Sequence, residues 1–315
     1  MRDETPLISV VVLTYNSSKT VVETLDSIRD QTYPRIQLVV GDDCSTDNTR
    51  DVVQSWISNN ASRFEEALLV KTSHNGGVTM NKTNAYKSVR GEWVKGIAAD
   101  DRLKPQCLER FLYHANETGK KIFSCQLDLF SGSCLDLKKG QDVYDNYFRC
   151  ICESQDKQLH RLLYDTYFIP GPSLFYSMSL YWEVNGCDTR FSMWEEYSFA
   201  YRILKAGYRV TPVYEKLVEY RYEENSLCRI NTSNKPRTSY MKYMNDKRLC
   251  FWYYQFWRWF FNGHFCDAMD KASDLGRTCF IHRHWDNRFL VAISRFYQLF
   301  SPSWYCSKFR KLFKR

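Results

Sequence analysis

Residues Leu7 to Leu13 read LISVVVL, an apolar, β-branched run in which Ser9 alone is polar. A run without alternation suits a strand buried on both faces, and such a strand needs a sheet covered by helices on both sides. The pattern returns at Ile36 to Val40 and at Trp93 to Ile97. Between the first two, Ser17 or Ser18 is placed to cap a helix running to about Asp30, with Val21, Val22, Leu25 and Ile28 facing inward. Tyr33-Pro34 breaks that helix, and another follows from about Asn48. Leu68 to Lys71 reads as a third strand, Asn75-Gly76-Gly77 as a turn and Thr79 to Val89 as a helix handing over to the Trp93 run. Strand and helix alternating at this spacing predict an α/β fold with a mostly parallel, doubly wound sheet.

Each buried run ends in polar residues, and in open α/β sheets ligands bind beyond the carboxyl ends of the strands. The first ends in Thr14-Tyr15-Asn16, the second in Gly41-Asp42-Asp43-Cys44-Ser45-Thr46-Asp47, the third in Ala98-Ala99-Asp100-Asp101. Two adjacent carboxylates repel one another, so a fold that gathers them supplies a cation, and hard oxygen ligands favour Mg²⁺ or Mn²⁺. The alternative for Asp101 is a helix cap before Pro105. Asp43 can accept the ring N–H of uracil or thymine while Tyr15 offers the base a flat face. Asp47 reads instead as a helix cap with an Asx-turn.

At 44% hydrophobic and 25% charged residues, the 315-residue chain is globular in composition. The aromatic run Phe251 to Phe261 is interrupted by Gln255 and Arg258 and falls short of the ~20 apolar residues that span a bilayer. Met1-Arg2-Asp3-Glu4 leads directly into a strand, so no signal peptide is expected. The 12 cysteines are scattered through a chain long enough to need no staples, which predicts reduced thiols in the cytoplasm. Cys150-Ile151-Cys152 lacks the second pair that a zinc site requires.

Taken together, Leu7 to Asn16 (LISVVVLTYN), Val39 to Asp47 (VVGDDCSTD), Asn75-Gly76-Gly77-Val78-Thr79, Gly91 to Asp101 (GEWVKGIAADD) and Trp194 to Gly207 (WEEYSFAYRILKAG) resemble a bacterial family 2 glycosyltransferase with the GT-A fold. The likeness covers roughly residues 5 to 230 and is to enzymes that build capsular or O-antigen polysaccharide. It implies inverting transfer of a sugar from a nucleotide diphosphate donor, usually UDP-linked, to an acceptor hydroxyl on a glycan or lipid-linked glycan. It also implies Mn²⁺ or Mg²⁺ on the diphosphate. Carried over by position, Thr14, Tyr15, Asn16 and Asp43 fall on the nucleotide. The family's DxD element falls on Ala99-Asp100-Asp101, with Asp100 nearer the ribose and Asp101 the metal ligand. Its longer DxDD form departs here, since Ala98 replaces the leading acid. The family's Glu-Asp pair falls on Glu195-Glu196, which implies Glu196 as general base and Glu195 as its substitute. Acids in a helix's first turn also favour its dipole, which alone accounts for one of them.

The remaining stretches are assigned more coarsely. Asp128 to Leu163 reads as a loop-and-helix insertion over the site. Ile169-Pro170-Gly171-Pro172-Ser173-Leu174-Phe175 returns to the sheet, either as a rigid wall of the acceptor cleft or as a turn before a strand. Val218 to Ser226 resembles the family's terminal strand, with Glu223 where many members carry His; a solvated loop acid is the simpler account of it. The expected domains are a GT-A catalytic domain over 1–230, its nucleotide-binding half about 5–127 and its acceptor half about 164–230, then a helical, aromatic and basic extension over 231–315. Phe289 to Arg315 carries an apolar and aromatic face with cationic flanks and no acid after Asp286. That composition fits an anchor on the anionic inner face of the cytoplasmic membrane, or a packed helix pair with a solvated tail. No nucleic-acid partner is expected. Rival readings are a nucleotide-sugar binding protein without turnover and a phosphoacceptor signalling domain, in which the Gly91 and Trp194 elements have no role.

Overall fold

A computed structural model of the protein describes residues 5–131, 136–165 and 169–223, with 251–256, 271, 272 and 275 of the C-terminal part. The chain divides into two compact units, one of Met1–Arg190 with Glu195–Glu223 and the other of Phe191–Trp194 with Glu224–Arg315. The candidate site lies in the first. Of the second unit, most residues and with them the expected C-terminal anchor lie outside the described residues. No helix among the described residues is long and apolar enough to cross a membrane.

The first unit is built on one eight-stranded sheet in the order β3-β2-β1-β4-β7-β6-β8-β5. Its first half is parallel: β1 (Ile8–Thr14), β2 (Ile36–Asp42), β3 (Glu66–Lys71) and β4 (Trp93–Ala98), with β1 central between β2 and β4. Ile8, Val10, Val11 and Val12 are completely buried, as a both-faces strand requires. The connecting helices are α1 (Val21–Arg29), α2 (Thr49–Asn60) and α3 (Val78–Tyr86).

The second half is mixed. After β4 the chain turns at 99–101 into a two-residue β5 (Arg102–Leu103), then α4 (Cys107–Thr118) and β6 (Ile122–Phe130). Helices α5 (Leu137–Ile151) and α6 (Gln155–His160) precede β7 (Leu174–Ser177), which pairs antiparallel with both β4 and β6. Then come α7 (Met178–Glu183), α8 (Glu195–Lys205) and β8 (Thr211–Arg221), the last parallel to β6 and antiparallel to β5.

Three local expectations are corrected. Val22 is 38% exposed, because α1 turns Val21, Thr24, Leu25 and Ile28 inward instead. Helix α1 starts at Val21, and Ser17 serves it through its carbonyl, which accepts from the amides of Thr20 and Val21. Asp128 belongs to β6 and not to the insertion, since Lys104 and Lys216 lie 2.9 and 3.1 Å from its carboxylate and offset its charge within the sheet.

Candidate active site

The register of the parallel half places Thr14 beside Asp42, and Leu13 beside Ala98, so the three strand ends share one edge of the sheet. At the first, Tyr15 is 45% exposed. Its neighbours are spent on the frame. Thr14 Oγ1 donates to Asp42 Oδ2 at 3.0 Å, and Asn16, held at φ 52°, accepts from the amide of Thr46 at 2.8 Å. Of the Thr14-Tyr15-Asn16 trio, Tyr15 alone turns an unengaged side chain outward.

The two acids at the second strand end have different tasks. Asp42 is fully buried and accepts from Ser45, Thr14 and the Arg50 guanidinium. Burial pushes its carboxyl up, but those hydrogen bonds outweigh it and hold the pKa below the usual value. Asp43 accepts the amides of Gly76 and Gly77, one on each oxygen, at 2.8 Å. Gly77 sits at φ 87°, a conformation that only glycine adopts cheaply, which explains the Asn-Gly-Gly turn. Each Asp43 oxygen keeps a further lone pair for a ring N–H.

At the third strand end, the turn into β5 carries Asp100 to the surface and Asp101 to the interior, where it is 1% exposed. Asp101 Oδ1 accepts the amide of Arg221 at 2.8 Å, and Oδ2 has no hydrogen-bond partner among the described residues. Burial first, and the Asp100 charge second, push the Asp101 carboxyl well above the ordinary range. The Asp100 carboxyl is raised too, by the protein crowded around it, with the Arg221 guanidinium opposing. A buried oxygen without a donor beside a second carboxylate fits a divalent cation. Among the described residues no three His, Cys, Asp or Glu gather as a metal cluster. Two carboxylates are nevertheless what a Mg²⁺-type site asks of the protein when substrate phosphates complete the shell.

Glu195 and Glu196 open α8, whose Phe199, Ile203 and Leu204 are fully buried. Glu195 is 3% exposed, and its Oε2 has no hydrogen-bond partner among the described residues. Burial, then the neighbouring Glu196 charge, drive its carboxyl well above the ordinary value. Glu196 is half-buried and lies against Gly171, where a Cβ would collide with its carboxylate. A wall residue without a side chain is therefore a condition for Glu196 to sit where it does.

Two buried lysines are absent from the sequence reading. Lys82, on the inner face of α3, is 6% exposed, and no hydrogen bond ties its Nζ among the described residues. It lies 5.6 Å from the centre of the Tyr86 ring and 5.8 Å from that of Phe199. Burial disfavours its ammonium, but Cys187, Tyr176, Tyr86 and Glu196 around it prevail and hold the pKa above the usual lysine value. Lys95 on β4 is fully buried, donates to the carbonyls of Gly96 and Pro172, and is lowered by that burial against the pull of Asp101. Asp101 favours the Lys95 ammonium, while Lys82, a like charge, opposes it. The signal for Lys82 was its spacing: Thr79, Lys82 and Tyr86 fall on one helical face, at i, i+3 and i+7.

The model of the family described as glycosyl transferase family 2 matches residues 9–184, more than half of the chain. The putative teichuronic acid biosynthesis glycosyltransferase TuaG of Bacillus subtilis is 26% identical over 264 residues, which cover 78% of this chain and 90% of that protein. Among solved structures, Staphylococcus aureus TarS 1–349 in complex with UDP-GlcNAc matches with a TM-score of 0.56 at 15% identity, over 91% of this chain and 89% of that one. The mannosyltransferase PcManGT of Pyrobaculum calidifontis, in complex with GDP-Man and Mn²⁺, matches with a TM-score of 0.54 at 17% identity, over 93% of this chain and 74% of that one. The structural likenesses establish the GT-A fold. By the match over residues 9–184 the chain belongs to glycosyl transferase family 2.

Proposed function

We propose that this glycosyltransferase inverts the anomeric centre, moving a sugar from a UDP-type donor to a hydroxyl of a glycan or lipid-linked acceptor in cell-surface polysaccharide synthesis. The observation that carries the reading is the buried Asp101 Oδ2, without a hydrogen-bond partner among the described residues, beside Asp100 at the sheet edge that also presents Tyr15 and Asp43. The UDP-GlcNAc in one structural neighbour and the teichuronic acid role in the name of TuaG support the donor and acceptor classes.

Tyr15 offers the base its face, and Asp43 accepts the base's ring N–H. Asp101, with Asp100 beside it, holds Mn²⁺ or Mg²⁺, which when bound supplies Lewis-acid stabilisation of the leaving diphosphate. Lys82 adds a buried positive charge on the Glu196 side of the site. Glu196 takes the proton of the acceptor hydroxyl as that oxygen attacks the anomeric carbon from the face opposite the leaving group. Glu195, whose carboxyl burial shifts toward the protonated form, is the less suited of the pair to act as that base.

A panel of nucleotide sugars assayed for metal-dependent hydrolysis and transfer tests the reading. Glu196→Gln is expected to lower transfer by about 10²–10⁴-fold, and Asp101→Ala to remove the response to added Mn²⁺. A wild-type protein that binds UDP but never turns a donor over would make this a nucleotide-sugar binding protein instead.

A further inference from the structure

The turn that presents Asp100 and Asp101 is gripped from outside the reaction. Its three successive carbonyls each accept a side-chain hydrogen bond: Ala99 from Thr20 Oγ1 at 2.8 Å, Asp100 from Arg221 Nε at 2.9 Å and Asp101 from Thr24 Oγ1 at 2.7 Å. The amide of Leu103 donates to Ser27 Oγ at 3.1 Å. Thr20, Glu23, Thr24 and Ser27 follow the i, i+3, i+4, i+7 spacing of one helical face, so α1 with its N-cap carries a polar stripe beside its apolar one. A three-residue turn between strands has no ladder of its own to fix it. Here side chains replace the ladder.

Arg221 is the member that reaches the acids directly, and it does so twice. Its amide holds Asp101 Oδ1, while its guanidinium holds the Asp100 carbonyl. The guanidinium is itself held. Its Nη2 donates to Glu23 Oε2 at 2.6 Å, and its carbon lies 4.5 Å from the centre of the Phe130 ring. Arg102 lies 4.1 Å from the same centre and 3.9 Å from the same glutamate oxygen, so one ring and one carboxylate hold two cations in place. With its side chain 15% accessible, Arg221 is a strut between β8 and the turn.

We infer that Arg221, braced by Glu23 and Phe130, is a positioning residue for the cation site: by fixing the turn it aims the second oxygen of Asp101 and sets the affinity for the divalent ion. The inference rests on the reading of Asp101 as a metal ligand. Two points of attachment fix an orientation that one does not. Removing the guanidinium frees the Asp100 carbonyl, while Thr20, Thr24 and Ser27 keep their own holds on the turn, and partners that orient a ligand in this way typically govern metal affinity by about 10–100-fold.

The test measures Mn²⁺ uptake from the loss of the free-ion electron paramagnetic resonance signal, with UDP present, for the wild type, Arg221→Met and Glu23→Gln. Metal-free UDP affinity and melting temperature are read alongside. Arg221→Met is expected to weaken Mn²⁺ binding by about tenfold or more and Glu23→Gln to shift it less in the same direction, with metal-free UDP binding within about twofold of wild type. Wild-type affinity for Mn²⁺ in Arg221→Met overturns the inference, and so does a loss of metal-free UDP binding, which would make Arg221 a ligand of the nucleotide. If Arg221→Met does not fold, unchanged Mn²⁺ affinity in Glu23→Gln overturns it. A wild-type protein that takes up no Mn²⁺ removes the reading of Asp101 itself, an outcome distinct from the others.

Discussion

At the scale of single residues, the two glutamates that open α8 are neighbours in sequence with opposite surroundings. Glu195 is packed away with one oxygen lacking a hydrogen-bond partner among the described residues, and Glu196 stands half-open beside a glycine. The folded pKa of Glu195 lies above its unfolded value, so the folded chain binds the extra proton in the interval between the two. The stability this group contributes is fully present below the unfolded value of about 4.3 and is lost as pH rises through the folded pKa, at about 1.4 kcal/mol per unit of separation. Glu195→Gln has no proton to lose. Calorimetry of the metal-free protein should find its melting temperature equal to wild type near pH 4 and higher than wild type at pH 8. Equal melting temperatures at both would mean that Glu195 ionises freely. The paired acids were legible in the sequence because their spacing before a helical period is a known signature. Their division of labour was not, since it depends on which of two adjacent side chains the tertiary packing buries.

At the scale of elements, the chemistry depends on how backbone walls approach side chains. The turn Gly171–Ser173 lies between the Lys95 ammonium, which holds its Pro172 carbonyl, and the Glu196 carboxylate. A Cβ at position 171 meets only the end of the Glu196 side chain, which can swing aside without moving backbone. Gly171→Ala should therefore fold and bind UDP as wild type does, yet lose about 10²-fold in transfer, the usual cost of misplacing a catalytic group by an ångström. Retained transfer with normal binding would dissociate Glu196 from the reaction. The first four strands were readable from apolar runs ended by polar residues, but nothing in the sequence pattern announces β6. Its first half is buried on both faces, Ser124 included, and its second half carries Asp128, whose charge suggests a loop until Lys104 and Lys216 are seen beside it. Similarly, the apolar positions of α1 reveal its inner side, while the stripe of Thr20, Glu23, Thr24 and Ser27 looks like an ordinary solvated face. The turn after β4, and Arg221 brought beside Asp101 at the end of β8, give that stripe something to hold.

At the scale of the whole molecule, charge is divided unevenly along the chain. Its formal net charge is +8, and the stretch after Asp286 holds Arg288, Arg295, Lys308, Arg310, Lys311, Lys314 and Arg315 with no acid, so everything before it is close to neutral. Interspersed with these are Phe296, Phe300, Trp304, Phe309 and Phe313. Basic residues at an anionic surface contribute about 1 kcal/mol each, and aromatic side chains settle at the headgroup level, so the segment has both components of a peripheral anchor. A lipid-linked acceptor would lie on the same surface, so membrane binding by this segment would serve the proposed reaction. The full chain should float with vesicles containing anionic lipid, while a chain ending near Ser301, which lacks five of the seven cations, should remain largely behind. Raising the salt concentration should release the full chain, because the attraction decays within a Debye length of about 8 Å at physiological ionic strength and less above it. Equal flotation of the two chains would place the basic tail in solvent and leave acceptor capture to the crevice alone.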